Sequence, residues 1–295
     1  MDLRASSTAF DAVVFVLLVG VAVATVAGVP PRGEPGGDRV AEETADVLAT
    51  STTQVTHTRS VSVETTGLLA GERTQTVSVT RTVRGTYAAV LAAAAVADPR
   101  LGGGRLFGTG SELRAASRGV TERVLHTREA NAQVAVAWRP YPNASLSSSF
   151  GVGDPPPRDV DVSATTVTVP SGFRNASARA LRAARTRGFA GVASAVARGV
   201  VDGWFPRPAT LTAFYSEGPD RALVANRYRR AADALSVAVV PPLRRRDVEA
   251  ADRRLADALA RRLEPELRRR YDSPEAAARA VSVRQVRLVV RTWSR

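Results

Sequence analysis

The chain contains no cysteine and no lysine. Without cysteine it cannot build a disulfide framework, although this absence is compatible with either side of a membrane. Without lysine it has no Schiff-base lysine, no P-loop lysine and no lysine general base. Apart from two histidines, every basic side chain is therefore an arginine.

The short motifs of common enzyme sites are also missing, with no HExxH, CxxC or GxSxG segment. His57 and His126 have no local metal-ligating partner, and Gly108-Thr109-Gly110 does not follow the buried strand that a dinucleotide site requires. The sequence predicts a protein that is not an enzyme, with no cofactor, no metal and no identified small-molecule substrate. An exported enzyme with a site assembled from scattered residues is an alternative.

The longest apolar run lies almost at the N-terminus, over residues 12–29. Eighteen helical residues extend about 27 Å, close to the roughly 30 Å hydrocarbon core of a bilayer. The run predicts a single transmembrane helix, preceded by a short tail over 1–11 and followed by a Pro/Gly-rich linker over 30–39. Because a very short tail is most easily left inside, we expect the long body to be extracytoplasmic.

A cleaved secretory signal is the alternative interpretation of this run. Its small residues offer A-x-A-like steps at 22–24 and 25–27. However, Arg4 is the single basic side chain before the run, Asp2 offsets its charge, and Asp11 stands directly against the apolar core. These features favour a retained anchor and a protein of the cell membrane.

The formal net charge of +13 indicates affinity for polyanions, although a mixed-charge solvated surface is the alternative. Nucleic acid is not expected, because aromatic residues are few and the body is expected to be exported. The segment 174–188 combines five arginines with no acidic residue, so it predicts either a helix that binds an anionic surface or a solvated helix face. The five candidate residues are Arg174, Arg179, Arg182, Arg185 and Arg187.

Apolar positions alternate with Thr and Ser over 55–63 and again over 76–83. This pattern predicts a β-hairpin with one apolar and one hydroxyl face, joined over 65–72. Pairing that is symmetric about residue 70 would set Arg59 opposite Arg81 on the apolar face, which is unfavourable. Either the register is shifted, which we prefer, or that end of the face opens to solvent or to an anion.

The rest of the body, residues 40–295, alternates helical and strand-like patterns. Their order predicts an α+β fold with a mostly antiparallel sheet and packed helices, in one body or in two subdomains over 40–170 and 171–295. Pro265 either kinks its helix or begins a new one. Helices are predicted at 42–51, 86–98, 111–128, 175–202, 223–235 and 247–271, and further strands at 133–138, 159–169, 236–240 and 281–293.

Two tripeptides have the pattern of N-glycosylation acceptors. They are Asn143-Ala144-Ser145 and Asn175-Ala176-Ser177. Both would be available for modification if the body is outside the cell.

The N-terminal segment Ser7-Thr8-Ala9-Phe10-Asp11, leading into the apolar run, resembles the start of type IV pilin-like and Tad-type minor pilin proteins. In those families an acidic residue stands at the head of a long apolar helix. Three body segments resemble an uncharacterised haloarchaeal family encoded beside type IV pilus-type secretion machinery, and this likeness spans most of the chain. The three segments are DVLATSTTQV at 46–55, WRPYP at 138–142 and VRTWS at 290–294.

The resemblance implies a membrane-anchored, exported accessory or pilin-like subunit whose partners are other membrane or pilus-like subunits. In pilin-like helices the acid pairs with the N-terminal amine of a neighbouring subunit. Carried onto this chain, that acid is Asp11, which becomes the fifth mature residue if cleavage falls between Ser6 and Ser7. The sequence therefore predicts a non-catalytic cell-surface subunit of a pilus-like or secretion-like assembly. A membrane-tethered domain that binds polyanions or anionic lipid is the alternative function.

Overall fold

The chain forms helices and antiparallel sheets, which confirms the predicted α+β class. The apolar run 12–29 and its Asp11 flank lie outside the described residues. None of the helices that the structure describes is both long and apolar enough to cross a membrane. The computed structural model describes residues 35–67, 70–108, 110–126, 131–216 and 219–294.

The first sheet is a hairpin of two long strands, β1 at Thr52–Gly67 and β2 at Ala70–Thr86. At about 3.4 Å per residue, strands of this length extend roughly 50 Å. The predicted hydroxyl face is present, since the hydroxyl oxygens of Thr56 and Thr82 lie 3.2 Å apart across the strands. The strands also continue into the predicted connection at 65–72, since Gly67 pairs with Ala70.

The hairpin register is shifted, as preferred from the sequence. Arg59 pairs with Val79, and His57 pairs with Arg81. Arg59 and Arg81 therefore avoid direct opposition, but they stay diagonal neighbours on the same face of the hairpin. The shift therefore reduces the repulsion between the two arginines, although they remain close to each other.

The second sheet has six antiparallel strands in the order β4-β3-β6-β5-β8-β7. Its last strand in sequence, β8, lies between β5 and β7, so segments 40–170 and 171–295 contribute to one sheet. The strands are β3 Arg100–Leu101, β4 Gly104–Arg105, β5 Asn131–Trp138, β6 Leu146–Val152, β7 Ser163–Pro170 and β8 Gln285–Trp293.

One face of this sheet builds the main core. Val134, Val136 and Trp138 on β5 are fully buried, and Leu288 and Val290 on β8 lie directly opposite two of them. The alternate positions along β5 are half-exposed. Burial on alternate positions is the pattern of a sheet that packs helices on one side.

Three helices in the first half of the chain pack close to the strands. Helix α1 contacts β7 and β8, helix α2 contacts the same sheet beside it, and helix α3 contacts β1. Thr86 caps α2, because its hydroxyl accepts a hydrogen bond of 3.2 Å from the backbone N–H of Ala89. The helices are α1 Pro35–Thr50, α2 Tyr87–Ala97 and α3 Ser111–His126. Residues 35–39 of the predicted linker thus belong to α1.

The second half is mainly helical. The long helices α4 and α8 pack along each other, α9 packs on α4, and α6 contacts both strands of the hairpin. Helix α8 continues through Pro265 and neither ends nor restarts there. The helices are α4 Ser177–Trp204, α5 Arg207–Tyr215, α6 Pro219–Leu235, α7 Val240–Arg244, α8 Val248–Arg270 and α9 Pro274–Arg279.

Helix α4 is broken sharply at Gly188, whose φ of 57° and ψ of −144° are not helical. This conformation strongly favours glycine. Beyond the break, a Cβ on Gly191 would lie 2.3 Å from the carbonyl oxygen of Ala183. The sequence predicted one helix over 175–202. Instead, the segments before and after Gly188 bend towards each other so closely that only a glycine fits at residue 191.

Some predicted elements differ from the observed ones. The strand predicted at 236–240 is wrong, because Ser236 has a φ of 52° and Val240 begins a short helix with prolines in its first turn. Proline lacks the N–H that a strand ladder needs. Strand β6 and helix α5 were not predicted, and β8 begins at Gln285 instead of 281.

Candidate functional site

The five arginines of the predicted anion-binding segment are all exposed. Four of them lie on the first arm of α4, before its break at Gly188. The inner side of this arm is built from the buried alanines Ala180, Ala183 and Ala184. Among the described residues, no ion pair joins any of the five arginines to an acidic side chain. The arm therefore has an apolar inner side and a basic outer side.

The other candidates from the sequence are placed as follows. Asp11 lies outside the described residues. Asn143 and Asn175 are both exposed, so neither amide is shielded from modification. The side-chain oxygen of Asn175 accepts a hydrogen bond of 2.9 Å from the backbone N–H of Ser177, within its own tripeptide.

A second basic site, not predicted as such, lies where the hairpin meets α6, α3 and the segment after α2. It centres on Asp98, the residue that ends α2, whose side chain is fully buried. One carboxylate oxygen accepts backbone N–H bonds from Phe107 at 3.2 Å and Gly108 at 2.8 Å. The other oxygen lies 3.5 Å from a guanidinium nitrogen of Arg105. Gly108 thus lies against the carboxylate, and Gly110 approaches Asp98 so closely that an added Cβ would lie 2.5 Å from the Cβ of Asp98.

The charge of Asp98 acts on three arginines from different elements, namely Arg59 on β1, Arg114 on α3 and Arg227 on α6. Arg114 donates to the backbone oxygen of Asp98 at 3.1 Å. We call Arg59, Arg105, Arg114 and Arg227, together with Asp98, the Asp98 cluster. It brings together residues that are far apart in sequence.

Burial shapes the electrostatics of the cluster. It is the main cause that lowers the pKa of Arg59, Arg114 and Arg227, the last to about 9. The charge of Asp98 opposes this effect at all three arginines, so all three remain cations at pH 7. Burial, followed by the charge of Arg59, lowers the pKa of His57 to about 4, which keeps that imidazole neutral.

Aromatic rings form one wall of the Asp98 cluster. The guanidinium carbon of Arg227 lies 4.2 Å from the centre of the Phe107 ring. Phe107 in turn meets Trp204 edge to face at 5.1 Å. A guanidinium stacked on a ring keeps its N–H groups directed outward in the plane of the group. The wall therefore holds Arg227 in a fixed orientation.

Next to the cluster, Arg81 on β2 forms an ion pair with Asp220 on α6. This pair joins the hairpin to the helix that carries Arg227. It also compensates the charge of Arg81. Around Asp98, by contrast, one carboxylate stands among four arginines, of which Arg105 forms an ion pair with it.

Only part of the Asp98 cluster could be predicted from the sequence. The alternation in the hairpin placed Arg59 and Arg81 on one face and raised an anion as one explanation. No local sequence pattern marked Arg227 as part of a site, because it is one of many arginines on helices that look polar. Its proximity to Arg59 depends on elements that are far apart in sequence. The buried Asp98 also looked like an ordinary helix terminus.

Two further carboxylates in the described part of the chain accept hydrogen bonds from tyrosines. Tyr228 donates to Asp252 at 2.6 Å, and Tyr141 donates to Glu266 at 3.0 Å. Among the described residues, no group of three or more His, Cys, Asp or Glu side chains is arranged to hold a metal ion.

Fold and site together define an α+β protein with a long hairpin, a helix-covered antiparallel sheet and two separate arginine-rich surfaces. By sequence, the chain belongs to a family of unknown function, DUF7284, whose model matches residues 10–293. No curated protein matches the chain significantly, and neither does any solved structure.

Proposed function

We propose that this protein is a non-catalytic, single-pass membrane protein of the cell surface, a pilin-like or accessory subunit of a pilus-like or secretion-like assembly. The apolar run 12–29 supplies the anchor, and the α+β body is extracytoplasmic. Other membrane or pilus-like subunits are its partners.

The observation that supports this proposal is the position of α1. This helix begins at Pro35, six residues after the apolar run ends in sequence, and it buries Ala41, Ala45 and Leu48 against the body. Because α1 is packed against the body and begins only six residues after the apolar run, the body lies close to the end of that run. With an anchor over 12–29, the position of the membrane helix would therefore restrict the position of the sheet. A subunit of an ordered assembly needs such a restricted arrangement.

The mature N-terminus tests the proposal most directly, and mass spectrometry of the protein from its native membrane gives it. We expect a start at Ser7, with Asp11 as the fifth residue. A start near residue 25 or 28 would mean a cleaved secretory signal and would contradict the anchor. An intact Met1 would leave a plain anchor and remove the pilin-like part.

Asp11 gives the matching mutational test. We expect Asp11→Ala to abolish cross-linking of the full chain into higher assemblies in the membrane, because the acid pairs with a neighbouring N-terminal amine in the proposed bundle. Asp11→Glu keeps the charge and should assemble. Glu34→Ala removes an equal charge from the linker after the apolar run, which the mature chain keeps, and should also assemble. If Asp11→Ala assembles like the wild type, the helix is simply a tether.

The basic arm of α4 favours a second candidate function, binding of a polyanion or anionic surface. Its arginines are exposed on one arm whose opposite side is buried alanine, so they face outward together. Charges near an anionic surface contribute about 1 kcal/mol each, and salt screens them. This function is compatible with a membrane anchor, since both would act at the cell surface.

The test is binding of fluorescent dextran sulfate to the full chain in nonionic detergent at about 0.1 M salt. We expect the Gln variant of Arg179, Arg182, Arg185 and Arg187 to bind at least about tenfold more weakly. The matched control changes four other exposed arginines to Gln: Arg158, Arg229, Arg230 and Arg245. Equal loss in both variants would show that net charge alone attracts the polymer, which would end this candidate function.

A further inference from the structure

The Asp98 cluster contains buried N–H donors that have no acceptor. The Nε atoms of Arg59, Arg114 and Arg227 are buried and have no hydrogen-bond partner among the residues that the structure describes. The indole nitrogen of Trp204, whose ring packs on Phe107, is in the same condition. Buried donors in native proteins are almost always satisfied, so a group of them calls for an acceptor from outside the chain.

These donors belong to one place in the fold. The charge of Asp98 acts on all three arginines, and the charge of Arg59 acts on Arg227. Helix α6, which carries Arg227, contacts both strands of the hairpin, and α3, which carries Arg114, contacts β1. Arg114 donates to the backbone oxygen of Asp98, and Arg227 lies over the ring of Phe107, whose N–H binds the Asp98 carboxylate. The three arginines thus come from three elements that meet in the region of this carboxylate.

Positive charge exceeds negative charge in this region. Four guanidinium groups surround Asp98, and Arg81 nearby is compensated by Asp220. Even with the exposed Glu112 counted, the region keeps an excess of two positive charges. Asp98 cannot satisfy them all. One of its oxygens accepts two backbone N–H groups, and the other, 3.5 Å from Arg105, is itself buried without a hydrogen-bond partner among the described residues. One free acceptor oxygen therefore stands against four free donors. Uncompensated buried charge is costly, and a bound anion would remove that cost.

The free donors also match a particular ligand chemistry. A guanidinium binds a carboxylate or a phosphate through two parallel N–H bonds, and its side-on mode uses Nε together with one terminal nitrogen. The Phe107 ring covers the guanidinium of Arg227 at 4.2 Å, and the Nε of Arg227 has no hydrogen-bond partner among the described residues, so it can make such a contact. Backbone or neutral acceptors would not supply the missing negative charge.

We propose that Arg59, Arg114 and Arg227 form a binding site for a single oxyanion group, a phosphate or carboxylate, beside Asp98. The ligand contacts the Nε edges of the arginines and joins the hairpin to α6 and α3. The site is separate from the basic arm of α4 and does not depend on the function proposed above.

The experiment is a calorimetric titration of the full chain in nonionic detergent with inorganic phosphate, with sodium chloride at equal ionic strength as the blank. We expect phosphate to bind with a Kd below about 1 mM and to raise the unfolding temperature. Glycerol 1-phosphate and acetate form two further arms. Preference for glycerol 1-phosphate identifies a lipid headgroup as the source, and preference for acetate identifies a carboxylate ligand.

The variants locate the binding. Arg59→Gln and Arg227→Gln should weaken phosphate binding at least about tenfold, because each removes one paired contact and one charge. Arg229→Gln, on the exposed side of the same helix α6, is the matched control and should bind like the wild type. The Gln variant of the basic α4 arm should also bind phosphate normally. Arg227→Lys keeps the charge but loses the fork, and it should bind nearly as weakly as Arg227→Gln.

Two results would overturn the proposal. One is the absence of both heat and thermal stabilisation when the wild-type chain meets 10 mM phosphate, on the order of ten times the expected Kd. This result needs no variant, so it stands even if an arginine substitution prevents folding. The other is equal weakening by Arg227→Gln and Arg229→Gln, which would reduce the effect to net charge.

Discussion

Three carboxylates in the body differ in which donors surround them. Asp98 has two backbone N–H groups and nearby guanidinium groups. Glu266 accepts from the Tyr141 hydroxyl and from the backbone and hydroxyl of Ser145, which fastens the turn after β5 to α8. Asp252 accepts from one hydroxyl, that of Tyr228, and is acted on by the charges of Asp202, Arg207 and Glu249.

Asp252 gives a prediction for the pH dependence of stability. Burial, with help from the charges of Asp202 and Glu249, raises its pKa to about 7, while the Tyr228 hydroxyl and Arg207 oppose the shift. The folded state therefore holds a proton that the unfolded chain releases near pH 4. Because the native state binds more protons between pH 4 and 7, stability should fall as the pH rises through that window.

The variant Asp252→Asn should remove this loss, since an amide stays neutral and can still accept from Tyr228. Its stability relative to the wild type should rise between pH 4 and 7, by on the order of 2 kcal/mol once partial exposure of the carboxyl is considered. Thermal unfolding of the full chain in detergent across this pH range measures the difference. Asp257→Asn, an exposed position on the same helix, is the control. A constant difference for Asp252→Asn would contradict the assignment.

At the scale of elements, the sequence predicted those helices and strands whose own residues show a clear periodic pattern or cap. Alternation fixed the hairpin and its hydroxyl face, and Thr86 marked the start of α2. Strand β6 was missed because its inward position Ser148 is buried but polar, so the segment shows no apolar alternation. The break in α4 was missed because Gly188 is one glycine among several in a helical pattern, and tertiary contacts decide which of them bends.

The two candidate sites also differ in how well local sequence predicts them. The basic arm of α4 could be read from the sequence, since its arginines are neighbours along one helix. The Asp98 cluster could not, because it depends on β1 meeting α6 across about 170 residues, between Arg59 and Arg227. Nothing local in either segment marks that contact. Its one sequence signal was the unfavourable pairing of Arg59 with Arg81.

At the scale of the whole molecule, the position of β8 determines how the body holds together. The strand is the last in sequence, yet it lies between β5 and β7 and carries fully buried residues of the core. The first and second halves of the body therefore share one sheet and one core. We expect the described body to unfold in a single cooperative transition.

The variant Leu288→Ala tests this expectation. Leu288 is fully buried in β8 opposite Val136 and Val167, so truncation should cost about 2 to 5 kcal/mol through lost burial and the cavity left behind. Arg287→Ala changes the exposed neighbour on the same strand and should stay within about 0.5 kcal/mol of the wild type. Denaturant unfolding, followed by tryptophan fluorescence and by far-ultraviolet circular dichroism, should show both signals moving together. If the variant shifts one transition and leaves a second unchanged, segments 40–170 and 171–295 unfold separately, and the shared core does not couple them.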